Sequence, residues 1–222
     1  MRVLGYLSRL RVTAVYLPLA AAAAIVVDRL GPHTQSHVLR EASTNLHNLG
    51  DGHIVTLVTS AFLTNGEPNW LWFASVAALL GTAEWLSGSR RFLLTFVVGH
   101  VGATALVTAG LFVGIHADWV AESLARAVDV GVSYAAAAVA GSMIRYLHGH
   151  WRTAWATGWI ATVAIAAVSD PSFTAFGHAA ALGIGFALGA VYLRRDAKPL
   201  ISNEFRTEPT ERVQPPHSMT SL

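Results

Sequence analysis

The sequence predicts an all-α membrane protein, a bundle of six transmembrane helices. Three observations carry this expectation. Of the 222 residues, 53% are hydrophobic and only 13% charged, and the mean hydropathy is +0.46, so the bilayer is the expected solvent. Six apolar runs, each near the ~20 residues that cross a hydrocarbon core, are bordered by charged or turn-forming residues. The basic residues fall in clusters at every second border.

The first run, 12–27, follows Arg2, Arg9 and Arg11. A basic start and an alanine-rich stretch are features of a cleaved signal peptide, but the further apolar runs point to a retained anchor. A long connection, 28–69, comes next; its apolar piece 54–63 is too short to cross and is expected at the interface or as a re-entrant segment. Its "STNLHNLGDGH" carries turn and capping residues that suit interfacial structure. The second run, 70–86, and the third, 92–115, meet at Arg90 and Arg91, and the fourth, 128–147, and the fifth, 154–168, at Arg145 and Arg152. The sixth, 173–193, ends in Arg194, Arg195 and Lys198. The shorter runs need interfacial flanks or a thinned bilayer. All four basic clusters fall on one side of a six-span chain, and that side, with both termini, is expected to be cytoplasmic. Residues 1–193 form the membrane domain, and 194–222, polar and proline-containing, read as a disordered cytoplasmic tail.

Other chemistries find little support. There is no cysteine, which removes thiolate catalysis and Cys-based metal sites. The basic residues mark run ends rather than an aromatic-studded patch, so nucleic acid is not an expected partner. With no HExxH and no glycine-rich phosphate loop, neither metal nor cofactor is expected. His47, Asp51 and His53 match no ligand spacing, and His148 and His150 flank Gly149 in a turn. His100, inside the third run, reads as a packed neutral imidazole, and Glu84 as a packing or capping partner for the neighbouring arginines.

Ser133 and His178 remain. Ser133 stands about six residues into the fourth run, or ~9 Å along a helix, and His178 about five residues into the sixth. Both runs enter from the same side, so hydroxyl and imidazole reach a similar depth. Serine becomes a nucleophile when a base takes its proton, and imidazole is the usual base. The competing interpretation is a packing serine that bonds back to its own helix. For the pair to meet, the two helices must approach closely. The sixth run offers Ala181, Gly185 and Gly189 on the face of His178; the fourth offers Gly131, Ala135, Ala138 and Ser142. Strips of small residues permit such crossings.

"GVSYA" and "GHAAALGIGFALG" resemble the GxS and AHxxGxxxG segments of rhomboid intramembrane serine proteases, in particular the divergent rhomboid-like proteins of actinobacteria. "TSAFLTNGEPNW" and "GTAEWLSGSRRF" resemble the family's first external loop and second helix, so the likeness covers roughly residues 54–193. The resemblance implies a six-helix rhomboid-like bundle in a bacterial plasma membrane, with a cavity open to the outside. It implies Ser133 as nucleophile, His178 as general base and transmembrane proteins as substrates. The family's GxSG becomes GVSY, with Tyr134 in place of the second glycine, and Ala137 stands where a tyrosine commonly stacks on the histidine. Tyr134 is turned about 100° round the helix from Ser133 and is not expected to take over that stacking. The family's histidine and asparagine near the oxyanion fall close to Asn69 and Phe73 counting from "TSAFL", which makes Asn69 a candidate oxyanion donor; counting back from Glu84 shifts the register by one. Two functions fit: an intramembrane serine protease with a Ser-His dyad, and an inactive rhomboid-like pseudoprotease that binds transmembrane segments without cutting them.

Overall fold

The computed structural model describes residues 9–64, 68–130 and 132–196. The described elements are helical, and a long helix occupies the place of each apolar run but one. These are α1 (Arg11–Asp28), α5 (Trp70–Ser87), α6 (Ser89–His116), α8 (Gly149–Ser169) and α9 (Phe173–Asp196), with the shorter α7 (Val132–Ser142) in the fourth run. Between α1 and α5 lie α2 (Pro32–Ala42), α3 (Leu46–Gly50) and α4 (Thr56–Thr59). Three of these helices, α1, α6 and α9, are long and apolar enough to cross a membrane. α7 has 11 residues, about 16 Å of helix, and its continuation is a 3-10 turn over Met143–Tyr146.

α7 is the centre of the bundle. Every residue from Tyr134 to Ser142 is buried, so this helix is enclosed on all sides, as helices without a polar face are. Its neighbours come close because they are glycine where they touch it. A Cβ on Gly99 of α6 would collide with the Ala138 side chain, and one on Gly185 of α9 with the Ala138 backbone. The same holds for Gly189 against the Ser142 carbonyl, at 2.9 Å. Ala138 is thus pinched between two helices that have no side chain at the contact. Gly131 lies outside the described residues.

Around this centre the other helices bury single stripes. α1 buries Thr13, Tyr16, Ala20, Ala24 and Val27, and α5 buries Phe73, Val76, Leu80, Ala83 and Glu84, both at the three-and-four spacing of one helix face. α8 differs, with no fully buried residue. It is tied to the bundle by Trp155 Nε1, which donates to the Ala140 carbonyl at 2.8 Å, and by Arg152 Nε, which donates to the carbonyls of Ile144 and Leu147.

Glu84 is fully buried. Its carboxylate accepts the N–H groups of Val12 at 3.0 Å and Thr13 at 2.8 Å, and the Ser89 hydroxyl at 2.6 Å. It is therefore an N-terminal cap for α1 supplied by α5, rather than only a counter-charge to the nearby arginines. First-turn amides have no partner within their own helix, and a carboxylate suits the positive end of the dipole. Gly88, at φ 76°, makes the tight turn from α5 to α6. The start of α1 and the α5–α6 turn hence share one end of the bundle. At the opposite end the 28–69 connection is held by buried polar groups: Asn48 Nδ2 donates to Arg40 and Ser43 carbonyls, both at 2.8 Å. The piece 54–63 forms α4 and a 3-10 turn, with Ile54, Val55 and Val58 exposed and Thr56, Ser60 and Ala61 buried.

α9 runs to Asp196, past the domain boundary expected at residue 193. Asp196 accepts from Arg91 at 2.9 and 3.2 Å and also from Arg145, and this ion-pair cluster gives the last turn partners on α6 and after α7. The remainder of the expected tail, 197–222, lies outside the described residues.

Candidate active site

Ser133 is the second residue of α7 and His178 lies in the second turn of α9. Both are half-buried, and both line one cavity of about 680 Å³ between α5, α7, α8 and α9. Its walls are largely apolar, with Trp72, Trp155 and Trp159 at the helix faces and Thr82 and Thr162 among the few polar groups. Ser133 also opens onto a second cavity of about 280 Å³, lined by Thr64, Asn69 and Trp72. The serine stands where the two spaces meet.

Ser133 behaves differently from several other hydroxyls of the bundle. Ser75, Ser87, Thr95 and Ser142 each donate to a carbonyl three or four residues earlier. Ser133 makes no hydrogen bond with a described residue, since its position in the first turn leaves no helical carbonyl one turn back. Its own backbone N–H is among the first-turn donors for the same reason, at the positive end of α7. His178 interacts with the backbone of Thr174, one turn earlier on α9. Among the described residues no hydrogen bond joins Ser133 to His178: the structure places them on one cavity wall without linking them.

Tyr134 does not stack on the histidine, as expected, yet it meets it in another way. Its ring lies edge-on to His178, centroids 5.1 Å apart and planes at 81°, so it does contact the histidine. The 100° offset fixes where Tyr134 points relative to Ser133 but not where α9 lies. α9 comes close enough to meet both directions because residue 177 is glycine; a Cβ there would run into the Tyr134 ring.

Asn69 is the N-cap of α5, its Oδ1 accepting the Trp72 N–H at 3.0 Å. That leaves its amide Nδ2 for other work beside the cavity it shares with Ser133. Phe73 is buried in the hydrophobic core with Tyr16, Leu80 and Val139. Ala181 is buried where α9 meets α7, with Gly185 and Gly189 one and two turns on.

A second serine and histidine also meet. Ser60 Oγ lies 3.4 Å from His100 Nε2, but the polarity is wrong for a nucleophile and its base. The Leu57 carbonyl, 2.8 Å from the same nitrogen, can only accept, so Nε2 carries the proton. Thr44 donates to the Thr56 carbonyl at 2.7 Å, and the Ser60 proton points to Thr44, also at 2.7 Å. The group is a clamp that fixes α4 and its 3-10 turn against α6.

Asp129 had no place in the sequence reading. It precedes α7 and is buried, and neither carboxylate oxygen has a hydrogen-bond partner among the described residues. The only hint was an acid five residues before a tyrosine, a spacing that means little before the fold is known.

A family model described as rhomboid-like protein matches residues 5–198. No curated protein and no solved structure matches the chain. The matched stretch takes in every described helix and both Ser133 and His178, and the chain belongs to the rhomboid-like family.

Proposed function

We propose that the protein is an intramembrane serine endopeptidase in which Ser133 attacks the peptide carbonyl and His178 takes its proton. The observation that carries this is the shared cavity wall: a serine hydroxyl with no hydrogen bond to a described residue and an imidazole line the same cavity of about 680 Å³ in a member of a family that includes proteases. The Ser133 N–H and the Asn69 amide, on the side of the second cavity, would receive the oxyanion. The serine and histidine are unlinked in the resting chain, and such bonds often tighten only with substrate present. After attack His178 returns the proton to the leaving amine, and a water then hydrolyses the acyl-enzyme by the same route.

The substrates are transmembrane segments. The cavity lies between α5 and α8, and α8, with no buried residue, is held to the bundle chiefly at one end. An apolar segment entering there would bring its backbone to Ser133. We further propose six spans, with the basic end of the bundle cytoplasmic, as the Lys and Arg distribution indicates, in a bacterial plasma membrane. A binding-only pseudoprotease is the second reading, favoured by the lack of a Ser133–His178 bond and by an apolar Phe73 near the oxyanion position.

The test is labelling of the purified protein by a fluorophosphonate, together with cleavage of a single-pass reporter. Wild type should label and cleave. Ser133→Ala and His178→Ala should each abolish both while remaining folded, and the double variant should be no worse than either, because the two groups act as one unit. Cleavage persisting in Ser133→Ala would return the serine to a packing role. A folded wild type inert to probe and reporter would establish the pseudoprotease.

A further inference from the structure

We propose that Asp129 is a positioning residue for His178, acting through the ring of Tyr134; the inference rests on the Ser133–His178 reading and deepens it. Two buried groups, Asp129 and Tyr134, adjoin the half-buried Thr174 and His178. The Tyr134 hydroxyl sits between Asp129 and Thr174, interacting with both without a close, well-aligned hydrogen bond to either. The Tyr134 ring meets His178 edge-on at 5.1 Å, and Thr174 is one turn before His178 on the same helix. A tyrosine side chain has two rotatable bonds, so a ring held at its hydroxyl end is held along its length. The imidazole, which lines the cavity, is then confined between that ring and the Thr174 backbone.

Asp129 itself is fixed from the other side. The Ser43 hydroxyl accepts the Asp129 N–H at 2.6 Å and donates to its carbonyl at 3.0 Å, and the Thr44 N–H reaches the same carbonyl at 3.2 Å. The 28–69 connection thus clamps the backbone of Asp129 and presents its carboxylate to Tyr134. That arrangement is costly, because a buried carboxylate without a full set of donors has lost its water and gained little in return. A residue kept for packing alone would have no use for the charge. A fixed charge beside the Tyr134 hydroxyl does, since its field sets the ring that sets the base.

The experiment uses the full-length protein in detergent and compares wild type with Asp129→Asn, Tyr134→Phe and the double variant. The maximal rate of fluorophosphonate labelling should fall about tenfold in each single variant, with the half-saturating probe concentration unchanged, and fall no further in the double. The melting temperature of Asp129→Asn should stay level or rise, because the unpartnered charge is gone. Labelling of Asp129→Asn at the wild-type rate, losses that multiply to about a hundredfold, or a rate loss matched by a fall in melting temperature would overturn the proposal. Should wild type not label at all, the dyad reading fails separately, and the positioning claim is decided by NMR contacts between the His178 and Tyr134 rings. Those contacts should be present in wild type and lost in Asp129→Asn; contacts unchanged by the substitution would sink it.

Discussion

An added methyl at Gly177 has nowhere to go, because the Tyr134 ring already occupies the place. Gly177→Ala should therefore displace that ring and, with it, the imidazole. The expected result is a loss of about 1–3 kcal/mol of stability from overpacking together with a fall in labelling of roughly tenfold or more, read by thermal melts and probe kinetics. A variant that melts early but labels at the wild-type rate would show that Tyr134 does not orient His178. At this scale the sequence made Ser133 and His178 legible as a candidate pair lining one cavity, because a hydroxyl and an imidazole at equal depth in two helices stand out from alanine. Tyr134 and Asp129 were not legible: their meaning depends on how closely α9 approaches α7, and helical angle alone is silent on that.

Between elements, the close approach is set by the backbone. Gly185 faces the Ala138 carbonyl across the α7–α9 crossing, whereas Gly183, two residues away, faces open space. Gly185→Leu should force the helices apart and lower both stability in detergent and labelling. Gly183→Ala should be neutral or raise stability by up to ~1 kcal/mol, as alanine has the better helix propensity. Equal tolerance at the two positions would mean the crossing is wrong. The small-residue strip was visible in the sequence at its three-and-four spacing. What could not be read was that α6 brings Gly99 to the same Ala138, because a single small residue in a glycine- and alanine-rich helix carries no signal of its partner. Nor could Glu84 be assigned to the amides of Val12 and Thr13, more than seventy positions away.

Over the whole molecule, most of the described basic residues lie at one end, Arg29, Arg40 and Arg126 excepted: the α1 start meets Glu84, which also holds Ser89, and Arg91 and Arg145 share Asp196. Reporters fused after Arg91 or Arg152 should be cytoplasmic, and reporters near Pro32, Asp118 or Ser169 external. A cytoplasmic reporter at Asp118 would put the cavity at the wrong face and end the protease reading. Composition, apolar runs and basic borders were enough to predict a helical membrane chain, since burial in lipid requires long apolar segments whatever their order in space. The short motifs around Ser133 and His178 were enough to point to the rhomboid-like family. Only the tertiary structure decided that the fourth run holds a helix of 11 residues enclosed by the others, that Ser133 opens onto two cavities, and that a tyrosine ring stands edge-on to the histidine. Those facts depend on distances between helices, which contacts far apart in sequence set and no local pattern encodes.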